Sequence, residues 1–327
     1  EKVNILSYYG IDQRLINEIK GFNVSSVKSR GPHIMDLLLE YYLGKISKGI
    51  AEKVDGGNEK IIVANDDIVN VVLHAADWGK FIYWSQGAVA SLFMWPPFYA
   101  RNGFIRRLMG TYAASFNLKL HNGVKRYRVV LSNSRTCANI ISLFYDRPPV
   151  DVIYPPLDHE YYSSYANTRI DNNEKYALVF VKRGNISSAD LNVLKRLAEK
   201  VKMKVIGYRV EGAEAYINVS DEELRDLYCN AYITVYPVKF EIFGYIPVES
   251  MACGTPVVAY RYSGGPSETV LDNETGWLVS DEHELYSTVL RLYENGYDQK
   301  IREMAVGGAS EFSIENSTKK LLKYIQI

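Results

Sequence analysis

The stretch EIFGYIPVESMACGTPVVA, residues 241–259, decides the fold of this chain. The apolar run AYITVY at residues 231–236 comes shortly before it and stops at Pro237. Such a short apolar run, rich in β-branched and aromatic residues and ended by proline, is typical of a buried parallel strand. We therefore predict a strand at residues 231–236, followed by a loop that begins at Pro237.

A short helix follows this loop. Pro247 suits its first turn, because the missing N–H of proline would have no partner there, and Gly254 suits its end. The run VVAY at residues 257–260 is the next strand. The order strand, loop, helix, strand predicts a βαβ unit, which places the loop at the carboxyl edge of a parallel sheet, where such folds bind ligands.

The loop has the composition of an anion site with two acids beside it. The backbone N–H groups near Phe243, Gly244 and Tyr245 lie at the helix start, and a phosphate is their natural ligand. Glu241 lies at the rim and Glu249, eight residues on, lies in the helix. A carboxylate next to a phosphate is unfavourable unless it accepts hydrogen bonds from hydroxyls or offsets a developing positive charge, and a sugar supplies both.

Together with SGGPSE at 263–268 and NETGWLV at 273–279, this stretch resembles the retaining glycosyltransferases of family 4. The resemblance implies an α/β chain with the GT-B fold, in which two Rossmann-like domains face each other across a cleft. It also implies that Glu241 contacts the donor sugar, that Glu249 contacts the nucleotide ribose, and that the neighbouring amides hold the diphosphate. Two glutamates at this spacing alone would more often be surface charges.

Arg183 follows a predicted strand at 176–181, at the same sheet edge as the glutamate loop. A guanidinium suits a diphosphate because it donates two parallel hydrogen bonds. The family carries a lysine five residues later, but this chain has Ser188 there. Lys182 would have to turn inward against strand alternation. Stabilisation of the leaving group would then depend on Arg183, on backbone amides, or on a lysine from elsewhere such as Lys239.

The length of 327 residues favours two domains. We expect an N-terminal acceptor-binding domain at 1–156 and a C-terminal nucleotide-sugar domain at 157–312, with a C-terminal helix at 313–327 crossing back onto the first domain. The sequence SDEE at 220–223 is a capping box that opens a helix. By resemblance, Ile217 in the loop before that helix lies beside the nucleotide base.

The first half has three weaker candidates. Gly10 follows a predicted first strand and occupies the place of the family's glycine-rich loop, although a single glycine there is equally explained as a turn. Gln86 stands where many relatives have a histidine close to the sugar; it can hydrogen-bond a hydroxyl but cannot act as an acid. His74 would reach the cleft from a strand end, but a lone histidine there is more often structural.

Cationic residues are concentrated in one part of the first half. No carboxylate occurs between Asp77 and Asp146, and nine cationic side chains fall in that gap. The apolar and aromatic segment 88–99 precedes most of them. This pattern, over residues 80–135, suits peripheral contact with an anionic membrane and access to a polyprenyl-linked acceptor. An ordinary buried helix with a solvated basic face explains it equally well.

Composition bounds the remaining expectations. An apolar fraction of 47%, no apolar run of eighteen residues and a strand close to the N-terminus predict a globular protein of the cytoplasm, at most peripheral at the inner face of the membrane. Cys137, Cys229 and Cys253 suit buried thiols in a reducing compartment. The formal net charge is zero, and no nucleic-acid partner is expected.

The chain contains no Asp-x-Asp pair, which the other major fold of sugar transferases uses to hold a metal across the diphosphate. We therefore expect no metal and no cofactor, only a nucleotide sugar as donor and a glycan or polyprenyl-linked acceptor. Two other functions fit the same residues: a non-catalytic nucleotide-sugar binder, and another enzyme of this fold such as an epimerase or a phosphorylase. The sugar, the base and the acceptor cannot be identified from the sequence.

Overall fold

The structure is a computed structural model. It describes residues 4–7, 23–26, 51, 60–63, 78–86, 121–147, 150–166, 175–181 and 186–325. Contacts within the chain separate two compact units: Glu1–Ser132 with Ala138–Asp151, and Asn133–Cys137 with Val152–Ile327. The C-terminal residues 313–327 are grouped with the second unit.

The described strands of the N-terminal part form two sheets, in which the pairs β1–β2, β3–β4 and β4–β5 are parallel. A two-stranded sheet pairs β1 with β2, and a four-stranded sheet has the order β3-β4-β5-β6. Phe81, Tyr83 and Leu131, on β4 and β5, are almost completely buried. The bounds are β1 Asn4–Ser7, β2 Asn23–Ser26, β3 Ile61–Val63, β4 Phe81–Ser85, β5 Val129–Ser132 and β6 Asp151–Val152, with helix α1 at Arg135–Tyr145.

The second unit contains a six-stranded sheet in the order β12-β11-β10-β7-β8-β9. The paired strands are parallel throughout. If the six strands from β7 to β12 are numbered 1 to 6, their order across the sheet is 3-2-1-4-5-6, which is that of a doubly wound nucleotide-binding fold. The order in which the strands are added to the sheet reverses between β7 and β10. The bounds are β7 Ala177–Phe180, β8 Met203–Ile206, β9 Glu214–Tyr216, β10 Ile233–Tyr236, β11 Val257–Tyr260 and β12 Gly276–Val279.

Both faces of this sheet are covered by helices. Alternate residues of its strands accordingly lie in two different core clusters. Leu178 and Phe180 of β7 belong to one cluster, and Ala177 and Val179 belong to the other. The helices are α2 His159–Ser163, α3 Ser188–Ala198, α4 Asp221–Asn230, α5 Tyr245–Ala252, α6 Pro266–Thr269, α7 Glu282–Asn295, α8 Lys300–Ala309 and α9 Ile314–Ile325.

Side chains cap helices α3, α4 and α7, and the sequence predicts the cap of α4. Ser220 precedes α4 and accepts a hydrogen bond from the Glu223 amide at 3.1 Å. Ser187 caps α3, and Asp281 caps α7 by accepting from the Glu284 amide at 2.8 Å. Each cap satisfies one of the amides that have no partner within the helix. The expected helix start at Ser220 is confirmed.

The βαβ unit that the sequence predicts around residues 231–260 is confirmed. Strand β10, helix α5 and strand β11 follow one another, and β10 pairs in parallel with β11. Helix α5 begins at Tyr245, so Pro247 lies in its first turn, where a missing amide costs no hydrogen bond. In the described parts of the chain, no helix combines the length and the apolar character needed to cross a bilayer.

Candidate functional site

The site lies at the carboxyl end of β10, next to the point where the strand order reverses. β10 is paired with β7 on one side and with β11 on the other. In open parallel sheets the crevice for ligands forms at this reversal, outside the carboxyl ends of the strands. Residues 237–244 leave β10 at that edge and lead into α5.

Two loops approach each other backbone to backbone at this edge. The Glu241 amide donates to the Ser263 carbonyl at 2.9 Å, and the Gly265 amide donates to the Glu241 carbonyl at 2.9 Å. A Cβ atom at Gly264 would lie 2.5 Å from the Glu241 oxygen, and one at Gly265 would lie 2.2 Å from the Phe243 oxygen. Only glycine fits at these two positions, and the loop 263–265 thereby fixes the backbone of the glutamate loop.

The start of α5 has the properties of an anion site. Gly244 is its N-cap, with φ of 80°, and no side chain caps the helix. A residue with a Cβ would be strained in this left-handed conformation. The first helical amides, from Tyr245 onward, therefore point away from the helix without a capping side chain in front of them. Together with the positive end of the helix dipole, they favour a phosphate.

Glu241 lies half-buried next to this helix start. Its Oε1 accepts a hydrogen bond from the Ile242 amide at 3.1 Å. Tyr236, at the end of β10, also hydrogen-bonds this carboxylate, and burial together with the nearby charge of Glu241 raises the pKa of Tyr236. Among the described residues no cation forms an ion pair with Glu241. The described partners of this carboxylate are therefore neutral donors, the Ile242 amide and Tyr236.

Glu249 is fixed by tyrosines that the sequence did not single out. Its Oε2 accepts a hydrogen bond from Tyr228 at 2.9 Å, and Tyr162 also hydrogen-bonds the carboxylate. Burial raises the pKa of Glu249, and the hydrogen bonds from the two tyrosines oppose this rise. The Tyr228 ring is completely buried and stacks on Phe180 at a centroid distance of 5.3 Å. Nothing in the spacing of these residues along the chain reveals the cluster.

Glu268 has a structural role that the sequence also did not reveal. Its oxygens accept hydrogen bonds from the Arg135 amide at 2.7 Å and from the Thr136 amide and hydroxyl, each at 2.6 Å. All three residues belong to the second unit. Glu268 lies in the short helix α6, whose N-cap is Gly265, so its bonds to the first residues of α1 also hold the loop that contacts Glu241.

Of the positions considered for a second cation, the structure describes Ser188 and Lys239, whereas Lys182 lies outside the described residues. Ser188, at the place where the family has lysine, is the first residue of α3. Lys239 lies 3.5 Å from Asp190 and also pairs with Glu282. Burial lowers the pKa of Lys239, but the two carboxylates raise it, and the net change is a rise. Lys239 is therefore charged and already bound by two acids of the second unit.

The structure describes two of the five other candidates from the sequence, Ile217 and Gln86. Ile217 follows β9 and is 48% exposed. Since neighbouring parallel strands lie about 4.8 Å apart, β9 lies about 14 Å from β10, within the span of a nucleotide sugar. Gln86 follows β4 and is half-buried. Gly10, His74 and Arg183 lie outside the described residues.

Part of the basic region at 80–135 is described. Lys80 is buried, with 5% of its surface exposed, so it does not belong to a solvent-facing patch. Lys125, Arg126 and Arg128 are exposed and line a cleft of about 460 Å³ together with Trp78. This cleft lies in the first unit. Contact with a membrane stays a prediction.

Within the described ranges, no group of three or more histidine, cysteine, aspartate or glutamate side chains could hold an ion. The chemistry that the described residues can perform is binding of an anionic group by helix amides and electrostatic stabilisation by a carboxylate.

Comparison with known proteins agrees with this geometry. Residues 170–307 match the family model of glycosyl transferases group 1. Over 103 residues the chain is 36% identical to the D-inositol 3-phosphate glycosyltransferase of Acidothermus cellulolyticus, covering 31% of this chain and 23% of that protein. Over 83 residues it is 37% identical to the alpha-1,3/1,6-mannosyltransferase ALG2 of Dictyostelium discoideum, covering 25% and 20%. The matches thus span less than a quarter of the length of these curated relatives.

Solved structures resemble the whole chain. Anabaena Alr3699/HepE, crystallised in complex with UDP, superimposes with a TM-score of 0.73 at 14% identity, covering 99% of this chain and 91% of that one. Sucrose-phosphate synthase from Thermosynechococcus elongatus superimposes with a TM-score of 0.72 at 16% identity, covering 100% and 99%. At such low identity the likeness establishes the fold alone. The expected GT-B fold is confirmed.

Proposed function

We propose that this protein moves a sugar from a nucleotide diphosphate sugar to a hydroxyl group of a glycan or lipid-linked acceptor, because residues 170–307 match the family model of glycosyl transferases group 1. The observation that carries the proposal is the helix start at Gly244, uncapped by any side chain and bordered by the Glu241 carboxylate. An anion-binding helix end and a carboxylate side by side suit a phosphorylated sugar better than either a phosphate or a sugar alone.

We assign the donor to the second unit. The amides at the start of α5 bind the diphosphate, and Glu241 binds the sugar. Glu249 binds the ribose, since the hydroxyl groups of Tyr228 and Tyr162 already orient its carboxylate and a ribose hydroxyl would donate to the same group. The base lies toward Ile217, whose exposed side chain supplies apolar surface.

The proposed chemistry is electrostatic. Breaking the bond between sugar and diphosphate leaves positive charge on the sugar and negative charge on the leaving group. The helix amides and Arg183 stabilise the leaving group, and Glu241 offsets the charge on the sugar. If the acceptor hydroxyl attacks from the side of the departing diphosphate, whose oxygen takes its proton, the configuration of the sugar is retained. No metal and no cofactor take part in this scheme.

The acceptor is assigned to residues 1–156, with Gln86 as a hydrogen-bonding contact, His74 as a further candidate and Gly10 near the donor phosphates. We also propose a peripheral contact with anionic membranes through residues 80–135. Exposed Lys125, Arg126 and Arg128 support it, since each cation near the headgroups contributes about 1 kcal/mol. Equal co-sedimentation with anionic and with zwitterionic vesicles would contradict this contact.

The role of Glu241 is tested by Glu241→Gln, which removes the charge and keeps the shape. Uridine, guanosine and adenosine diphosphate sugars are first screened for thermal stabilisation, and transfer is then measured as release of the nucleoside diphosphate in the presence of acceptors. We expect turnover to fall about 10²- to 10³-fold, as for loss of one preorganised electrostatic contact. The exposed Glu294→Gln is the matched control and keeps full activity. Near-normal turnover of Glu241→Gln would overturn the assignment.

A second candidate is a binder without catalytic activity. Ser188 stands at the family's lysine position, and Lys239 is held by Asp190 and Glu282. Calorimetry that detects tight donor binding, with no turnover on any acceptor, would favour the binder. Interconversion of the donor sugar without acceptor would instead indicate an epimerase.

A further inference from the structure

Two buried thiols meet between the helices that carry the Glu249 site. Cys229 Sγ, on α4, lies 2.7 Å from Cys253 Sγ, directly after α5. Both cysteines are free thiols, and they are 5% and 0% exposed. A disulfide has an S–S bond of about 2.0 Å, so only a small movement of either side chain separates this pair from a covalent bond.

The surroundings distinguish the two sulfur atoms. Cys253 Sγ also lies 3.8 Å from the Arg225 carbonyl and 3.9 Å from the Tyr162 carbonyl, and its single S–H can donate to either oxygen. The contact with the Cys253 side chain lowers the pKa of Cys229, whereas burial raises the pKa of Cys253. Cys229 is therefore both the more exposed thiol and the one that more readily becomes the reactive thiolate.

We propose that Cys229 and Cys253 are an oxidation site, where a small peroxide converts the thiol pair into a reversible disulfide. The Cys229 thiolate attacks one oxygen of hydrogen peroxide, the O–O bond breaks, and the products are a sulfenic acid and, after proton uptake, one water. The Cys253 sulfur then attacks the Cys229 sulfur; an S–S bond forms, the S–O bond breaks, and the hydroxide leaves as water with the proton of the Cys253 thiol. Two thiols and one peroxide thus give one disulfide and two waters.

The bond would join α4 to the end of α5. Cys229 follows Tyr228, which donates to Glu249, and the Cys253 amide donates to the Glu249 carbonyl at 3.1 Å. The disulfide therefore ties together the two segments between which the Tyr228–Glu249 hydrogen bond is made. It closes a loop from residue 229 to residue 253 and restricts the unfolded chain. The linkage itself is independent of the proposed transferase activity.

The test uses the full chain, treated with a slight molar excess of hydrogen peroxide and then freed of it. The intact mass should fall by about 2 Da and return after reduction with dithiothreitol. Peptide mapping should show Cys229 linked to Cys253, and thiol titration in denaturant should give one free thiol, that of Cys137, in place of three. The oxidised protein should melt about 5 °C or more above the reduced one, as expected for a cross-link that fits the native structure.

Variants separate the pair from the third cysteine. Cys137→Ser should form the cross-link as the wild type does, whereas Cys229→Ser should prevent it. Three free thiols after treatment, stable sulfinic acid at Cys229, or a linkage that includes Cys137 would overturn the proposal. An oxidised protein that melts no higher than the reduced one would overturn it as well. The map of the wild-type chain decides the question even if a variant fails to fold.

Discussion

Two glycines allow the loops of the candidate site to lie backbone to backbone. The amide of Gly265 donates to Glu241, and a Cβ atom at residue 265 would lie 2.2 Å from the Phe243 oxygen. The φ of Gly265 is −52°, so the requirement for glycine at this position is one of space and not of backbone conformation. The glutamate loop can keep its shape only while this approach is possible.

Gly265→Ala should therefore destabilise the protein by about 1–3 kcal/mol, the usual cost of overpacking a well-filled site. Gly307→Ala is the matched control, because nothing lies within 4 Å of its Cβ position in helix α8. There alanine should increase the free energy of unfolding by about 0.5–1 kcal/mol. Urea unfolding of both variants measures the difference, and equal stabilities would contradict the structure of the two loops.

Glu249 should make stability depend on pH. Burial raises its pKa in the folded protein above the value in the unfolded chain. Its stabilising contribution is then complete below the unfolded pKa of about 4.3 and is lost as the pH rises through the folded pKa. At neutral pH the ionised carboxylate is therefore less favourable in the folded state than a neutral group would be.

Glu249→Gln removes this penalty while keeping an acceptor for Tyr228. We expect the difference in the free energy of unfolding, variant minus wild type, to be larger at pH 7.5 than at pH 5, so that the variant gains stability relative to wild type as the pH rises. Chemical denaturation at the two pH values measures it, and the exposed Glu294→Gln controls for the loss of one carboxylate. A relative stability that is the same at both pH values, or larger at pH 5, would count against the burial of this charge.

The residues that the sequence identified and those that it missed differ in a physical way. The sequence could place Gly244 at the start of a helix and Glu241 in the loop before it, because both positions follow from the local pattern of strand, loop and helix. Tyr228 and Glu268 were not found, because their partners are 21 and 133 residues away in the chain, at Glu249 and Arg135. Such contacts depend on side-chain packing between elements, which local periodicity does not encode.

Helix boundaries could be predicted where a side chain or a backbone restriction sets them. The Ser220 cap gave the start of α4, and Pro247 with Gly254 bracketed α5 to within two residues. The actual start of α5 is earlier, at Tyr245, since Gly244 with its positive φ ends the loop. A turn that depends on glycine conformation has a weaker sequence signal than a capping side chain.

Ser220→Ala should cost about 1 kcal/mol, because the Glu223 amide loses its acceptor at the start of α4. Ser287→Ala is a suitable control, since Ser287 is exposed within α7 and its hydroxyl only bonds the Glu284 carbonyl of its own helix. Its effect should stay within about 0.5 kcal/mol. Unfolding midpoints in urea compare the two, and an unchanged midpoint for Ser220→Ala would show that the cap does not contribute.

The architecture of the second unit could be predicted because strand and helix patterns alternate there along the chain. The general rules for parallel βαβ units allow several strand orders. The structure shows that the order in this sheet is 3-2-1-4-5-6. This order brings the glutamate loop to the reversal point of the sheet. The position of the site is thus a property of the topology, and its specificity depends on loops that one sequence does not define.

The central claim is that the start of α5 holds the diphosphate of a nucleotide sugar whose sugar contacts Glu241. The most direct measurement is a crystal structure of the full chain with the nucleotide sugar that gives the largest thermal shift. We expect diphosphate oxygens within about 3 Å of the amides at the start of α5, with the sugar against the Glu241 carboxylate. A donor bound away from residues 241–249, or bound with its diphosphate turned away from the helix start, would contradict the claim.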